Sequence, residues 1–183
     1  MADTRRTLSE LQAILASGFV GSINAQDIRD MLVSLQPAFG RIYVDEADAA
    51  AVTISNTSTY FEATAPAWTL SAGGLYFDES AGNGRITYIG DPDVNVHVSA
   101  SVSITCASSN QVIHTRLGVS GTSDPGSETQ RKIATGSDVG SSALHASGTL
   151  STGDYVSLFF QNETSAANVT VICAHILVAT TLT

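Results

Sequence analysis

Val94-Asn95-Val96-His97-Val98-Ser99-Ala100-Ser101-Val102-Ser103-Ile104-Thr105-Cys106 alternates apolar and polar side chains without a break. In an extended chain successive side chains point to opposite faces, so this period of two separates a dry face from a polar one. A strand with one dry face belongs in an antiparallel sheet packed on one side only. Outward from it, strand-like runs follow at 51–54, 60–64, 74–77, 85–89, 112–119, 131–135, 143–150, 155–161 and 168–178. Turn-forming clusters separate them: Ser80-Ala81-Gly82-Asn83-Gly84, Gly90-Asp91-Pro92-Asp93, residues 120–126, residues 136–142, and Thr152-Gly153-Asp154. Many short strands with this punctuation and no later helical stretch predict a mainly β sandwich or barrel.

The last two runs break the alternation. Tyr155-Val156-Ser157-Leu158-Phe159-Phe160 and Val169-Thr170-Val171-Ile172-Cys173-Ala174-His175-Ile176-Leu177-Val178 carry apolar side chains on both faces. Something must cover the outer one. A symmetric neighbouring subunit is the economical candidate, and loops over central strands are the alternative.

Residues 1–40 have a different period. Leu8, Leu11, Ile14 and Leu15 fall on one helical stripe, and Ile28, Met31, Leu32 and Leu35 on a second. Thr7 with Glu10 and Asn24 with Asp27 read as N-terminal caps; Gly18 and Gly21 break the helix between them. The expectation is a helical hairpin over 1–40 joined to a β domain over 41–183. Helices this short are marginal alone in water, so the hairpin needs a surface, either the rest of the chain or another protein.

Composition narrows the function. The chain of 183 residues has 23 Ser and 20 Thr but only 14 % charged residues, with Lys132 its single lysine. At 43 % hydrophobic residues and a mean hydropathy of +0.15 it is not a disordered chain. A net charge of −9 argues against nucleic acid or an anionic membrane as partner, since phosphates need Lys/Arg patches. No run reaches the roughly 18–20 apolar residues that span a bilayer, and no secretory signal is visible. Cys106 and Cys173 sit in strand-like runs without zinc-ligand spacing; buried thiols are the first expectation and a disulfide the second. The sequons at Asn56, Asn162 and Asn168 read as chance matches in a chain this rich in Ser and Thr.

The order of elements resembles a C1q/TNF-like jelly roll. The resemblance rests on Gly84-Arg85-Ile86-Thr87-Tyr88-Ile89-Gly90, the long alternating strand, Leu150-Ser151-Thr152-Gly153-Asp154-Tyr155-Val156-Ser157-Leu158, and Gln161-Asn162-Glu163-Thr164 before a final β run. It covers roughly residues 50–183 and is nearest the version carried on bacteriophage virions. Independently, the segment from Gly21 to Leu35, with Gly21-Ser22-Ile23-Asn24-Ala25-Gln26-Asp27-Ile28-Arg29-Asp30, is similar to one near the start of many phage head and tail structural proteins. The resemblance implies an antiparallel jelly-roll sandwich behind a helical adapter, three-fold assembly, and a place on the virion after synthesis in host cytoplasm. It puts an L-x-x-G-D-x-V segment near the three-fold axis, making Tyr155, Phe159, His175 and Leu177 candidate trimer-interface residues. Leu11, Ile14, Leu15, Ile28, Met31 and Leu32 are the candidate anchor to a major capsid protein or another virion protein.

Chemistry is hard to find. His97, His114, His145 and His175 show no HExxH or H-x-H spacing; there is no G-x-S-x-G elbow, EF-hand loop or phosphate-binding glycine loop. Asp91-Pro92-Asp93, Asp45-Glu46 and Asp78-Glu79 read as turns and solvated loops. No nucleophile, base and orienter occur together, so the expectation is no enzyme, no cofactor and no metal. Two functions remain: a trimeric, non-enzymatic decoration or head-fibre protein of a phage capsid, or the receptor- or glycan-binding tip of a tail fibre or spike. In the second, loops 120–126 and 136–142 with Trp68 and Tyr76 would make the contacts.

Overall fold

The structure, a computed structural model, describes residues 6, 8–17, 25–34, 37–71, 76–78, 83–91, 93–136 and 138–181. Two helices, α1 (Leu8–Ser17) and α2 (Ala25–Ser34), precede the strands. These are β1 (Phe39–Val44), β2 (Ala50–Val52), β3 (Phe61–Glu62), β4 (Thr69–Leu70), β5 (Phe77–Asp78), β6 (Ile86–Tyr88), β7 (Val94–Cys106), β8 (Gln111–Val119), β9 (Thr122–Ser123), β10 (Thr129–Ile133), β11 (Gly140–Leu150), β12 (Tyr155–Asn162) and β13 (Val169–Thr180).

They form two antiparallel sheets. The first runs β11-β7-β13-β1-β4, with β2 also on β13; the second runs β10-β8-β12-β6-β5, with β3 on β12 and β9 on β8. From β7 onward the chain steps between them, β7 to β8 and β10 to β11 to β12 to β13, which is the path of a jelly roll. The alternation of β7 sets its packing: Val96, Val98, Val102, Ile104 and Cys106 point inward to meet Leu117, Ile133, Leu158 and Phe160 from the other sheet. At about 25 cal/mol per Å² of apolar area removed from water, this interior is what holds the sandwich closed.

Strand β1 was not among the sequence-expected strands. It starts at Phe39 and pairs with β13 from Phe39↔Ala179 to Val44↔Ala174. Its inward Ile42 and Val44 are buried, so the body reaches back into the segment assigned to the helical part. The expected strand at 74–77 falls partly outside the described residues, which show β5 at Phe77–Asp78. Thr7, Gly18, Gly21, Asn24 and Leu35 also lie outside them.

The Gly-Asp turn before β12 has a clear local cause. Gly153 takes a φ of +93°, which side chains disfavour. Its N–H donates to the Tyr88 carbonyl at 2.8 Å, and Tyr88 N–H donates to the Asp154 carbonyl at 2.8 Å, tying the turn to β6. The Asp154 carboxylate accepts from the Ser120 hydroxyl at 2.7 Å and from Ser151 N–H at 2.9 Å, which holds its pKa below the ordinary range.

Candidate functional site

The outward face of the first sheet is nearly free of charge. Its strands β1, β2, β4, β7, β11 and β13 contain no Asp, Glu or Lys and one Arg, Arg41. The face has two halves. On β1 and β13 stand Phe39 (42 % exposed), Arg41, Tyr43, His175, Leu177 and Ala179, with Tyr43 opposite His175 and Arg41 opposite Leu177. On β7 and β11 stand small polar groups and two imidazoles, His97 and His145. Arg41 lies 5.7 Å from the Tyr43 ring centre. Burial and the nearby Arg41 charge push the His175 pKa below its ordinary value. Its Nε2 is buried, with no hydrogen-bond partner among the described residues.

The outward face of the second sheet is its opposite in chemistry. Glu128 accepts from the Tyr60 hydroxyl at 2.6 Å and from Arg116 at 2.5–2.7 Å, and lies 3.1 Å from His114 Nδ1. Those hydrogen bonds hold the Glu128 pKa down to about 2. Glu163 meets the other His114 nitrogen at 3.0 Å, and the Arg116 guanidinium lies 4.0 Å over the Tyr60 ring. Nearby, Arg85 grips Glu62 in a bidentate pair at 2.6 and 3.0 Å and lies 4.4 Å over the Tyr155 ring. Burial opposes the charged Glu62, but the Arg85 hydrogen bonds outweigh it and lower its pKa. Within this face Phe159 is only 5 % exposed.

The four candidate interface residues therefore do not meet. Tyr155 and Phe159 belong to β12 in the second sheet, His175 and Leu177 to β13 in the first, and all four point away from the core between them. Phe159 is buried within a single chain, so its apolar character needs no second subunit. Phe39, Arg41 and Tyr43 join His175 and Leu177 instead. The alternation Phe39-x-Arg41-x-Tyr43 carried that signal, with Ile42 and Val44 as the inward set.

In the anchor, Ile28 and Leu32 are 47 % and 55 % exposed, Met31 is half-buried, and Leu11 is buried at 7 %. Leu11 is thus already covered by its own chain. Ile14 and Leu15 belong to α1, but their side chains lie outside the described residues. The polar residues of α2 are engaged within the chain. Arg6 donates to Asp30 at 2.7 and 2.9 Å, Gln26 donates to Asp30 at 2.7 Å, and Asp30 is 1 % exposed.

Other expectations change. Trp68 is buried, donating from Nε1 to the Ala63 carbonyl at 2.9 Å, and Tyr76 packs against the core, so Trp68 offers no stacking face to a sugar. Cys106 is buried, but Cys173 is exposed; both are free thiols. A bulge between Val171 and Cys173 turns the latter outward, overturning the expectation of two core thiols. The Asn162 side chain is fully buried and donates to Gln111 and the Ala167 carbonyl, closing that sequon to modification. Among the described residues no group of three or more His, Cys, Asp or Glu is arranged to hold a metal, and no helix is long and apolar enough to cross a membrane.

No protein-family model matches the sequence, and no curated protein matches it. Among solved structures the chain is similar to murine APRIL, crystallised at pH 5.0, at a TM-score of 0.49 and 9 % identity, over 78 % of this chain and 99 % of that one. It is also similar to Eiger TNF from S. frugiperda at a TM-score of 0.57 and 8 % identity, over 80 % of this chain and 93 % of that one. Two antiparallel sheets on this path, superposing on such a neighbour, make the body a TNF-like jelly roll.

Proposed function

We propose that this chain is the subunit of a homotrimeric, non-enzymatic structural protein of a phage particle, displayed on the capsid through its N-terminal helices. The observation that carries the reading is the face of β1 and β13. A monomer with a net charge of −9 has little reason to leave one whole sheet almost uncharged, with Phe39 exposed and Tyr43 and Leu177 half-buried on it. Burying that face against like subunits removes apolar surface from water and leaves the acidic remainder outside, where it keeps crowded copies soluble. The virion setting rests on the resemblance of residues 21–35 to phage structural proteins. Exposed Ile28 and Leu32 supply apolar contacts for a capsid partner, and three copies on one particle bind with avidity. A display subunit needs no active site.

Two measurements test it. Light scattering on the full chain is expected to give three times 19.0 kDa, and a monodisperse monomer would remove the proposal. Deleting residues 1–36 is expected to preserve the trimer while abolishing attachment to particles; undiminished attachment would place the anchor elsewhere.

A further inference from the structure

The two sheets do not close on each other everywhere. Along β11 the inward row is Leu144, Ala146, Gly148 and Leu150, and both leucines are buried. Between them the row thins: a Cβ built on Gly148 would find no heavy atom within 4 Å. On the other sheet Val119 continues the inward row of β8 after Leu117, yet it is 37 % exposed. An inward valine left uncovered and an inward glycine with nothing beside it line the same space. That space is a cavity of about 430 Å³, floored by Val96, Val98, Leu150, Leu117 and Val156. Its floor is made by the inward sides of these strands, away from the outward face that carries Phe39, Tyr43 and Leu177.

One acidic group stands at the mouth. Residues Thr122 to Pro125 form the rim, and Asp124 is the one acidic side chain in a lining that holds no Lys or Arg. Its place is fixed by the backbone: Asp124 N–H donates to the Leu117 carbonyl at 2.8 Å, and Oδ1 accepts from Gly126 N–H at 2.8 Å. The second carboxylate oxygen has no hydrogen-bond partner among the described residues, and Asp124 is half-buried.

From this arrangement we propose that the cavity binds a hydrophobic amine, with its hydrocarbon body between the sheets and its ammonium on the open oxygen of Asp124. Size and charge both argue for it. An apolar cavity of about 150 Å³ holds benzene, so this larger space takes an apolar body of roughly six to ten carbons. Aliphatic walls with one placed polar group are the usual make-up of a small-molecule site. A carboxylate at the edge of a low-dielectric pocket attracts an ammonium and repels a fatty-acid head. An anionic ligand would find no counter-charge in the lining. A neutral alcohol of the same length gains the walls but lacks the charge-assisted contact. The site lies within one chain and does not depend on the trimer.

The test is titration of the full chain with n-octylamine, followed through backbone amide resonances in NMR spectra, with octan-1-ol and octanoate as length-matched probes. The expected result is saturable binding of one octylammonium per chain, moving the Val119, Asp124 and Gly148 signals and leaving those of Phe39, Tyr43 and Leu177 in place. Octan-1-ol should move the same signals with about tenfold weaker affinity, one charge-assisted contact being lost. Octanoate should not bind. Asp124→Asn keeps an oxygen for Gly126 N–H and is expected to bring octylamine down to the octan-1-ol affinity. Gly148→Val fills the space without a clash, so it should abolish binding of both probes at an unchanged or raised urea midpoint. Octanoate binding as tight as octylamine overturns the site, as does a tenfold preference for the amine that survives Asp124→Asn. So does parent-like binding by Gly148→Val, a set of shifts confined to Phe39, Tyr43 and Leu177, or no saturable shift before the amine self-associates.

Discussion

Phe159 lies across Gly118 of the adjacent strand: a Cβ placed on that glycine would stand 2.5 Å from the Phe159 Cε2. This contact explains why an aromatic on the outer face of β12 is buried in a single chain. Gly118→Ala is expected to cost about 1–3 kcal/mol by forcing the ring out of place, read as a lower urea midpoint. The oligomer mass should not change, because the contact is internal.

Leu177 stands on the other sheet, opposite Arg41 on β1 and Ser99 on β7. Leu177→Arg sets a second guanidinium beside Arg41 on a face with no carboxylate in its strands. The expected outcome is a folded monomer by sedimentation, with the β-sheet circular dichroism intact. Phe159→Leu serves as the control and should leave assembly unaltered.

Acid acts through two windows with the same sign. His175 is depressed below its ordinary 6.5 by burial and by Arg41, so the fold favours the neutral ring. That contribution is fully present above pH 6.5 and is lost as pH falls through 6.5 toward the folded value. Glu128, lowered from 4.5 to about 2, stabilises the fold above its ordinary pKa and loses that contribution as pH falls from about 4.5 toward about 2. Urea midpoints across pH 8 to 2.5 should therefore show two declines. His175→Asn should erase the first, and Glu128→Gln should shrink the second, to which the lowered Glu62 and Asp154 also contribute.

Arg6 and Asp30 make the long-range ion pair of the helical part, with Asp30 buried. Arg6→Ala takes a charged partner from a buried carboxylate, a loss of about 3–5 kcal/mol where such a pair is fully desolvated and less here, because Arg6 is one-third exposed. Limited proteolysis should then cut ahead of residue 37 sooner than in the parent. The thermal transition of the β body should stay where it was.

The body was more legible in sequence than the candidate faces, for a physical reason. An unbroken period of two fixes which residues of β7 share a side, and that side proved to be the core side. It does not say which sheet a strand joins. Tyr155 and His175 were therefore set together by their similar apolar runs, although β12 and β13 lie in opposite sheets. Strand β1 was hidden by Pro37 and Gly40 beside it and by its place next to a helical pattern. The bulge at Cys173 adds a residue that alternation cannot foresee. Networks such as Tyr60–Glu128–Arg116 join positions 68 residues apart and leave no local pattern.

The pairing of β1 with β13 also sets an order in time. Residues 39–44 pair along their whole length with 174–179, and β13 is itself the strand between β1 and β7. A chain growing on a ribosome thus holds its first strand without its main partner until nearly all of the polypeptide has emerged, with only the two residues of β4 to pair with before then. Such non-local closure is slow and leaves strand edges unpaired meanwhile. Under the proposed function, attachment through the helices then follows synthesis, when finished bodies meet a finished surface.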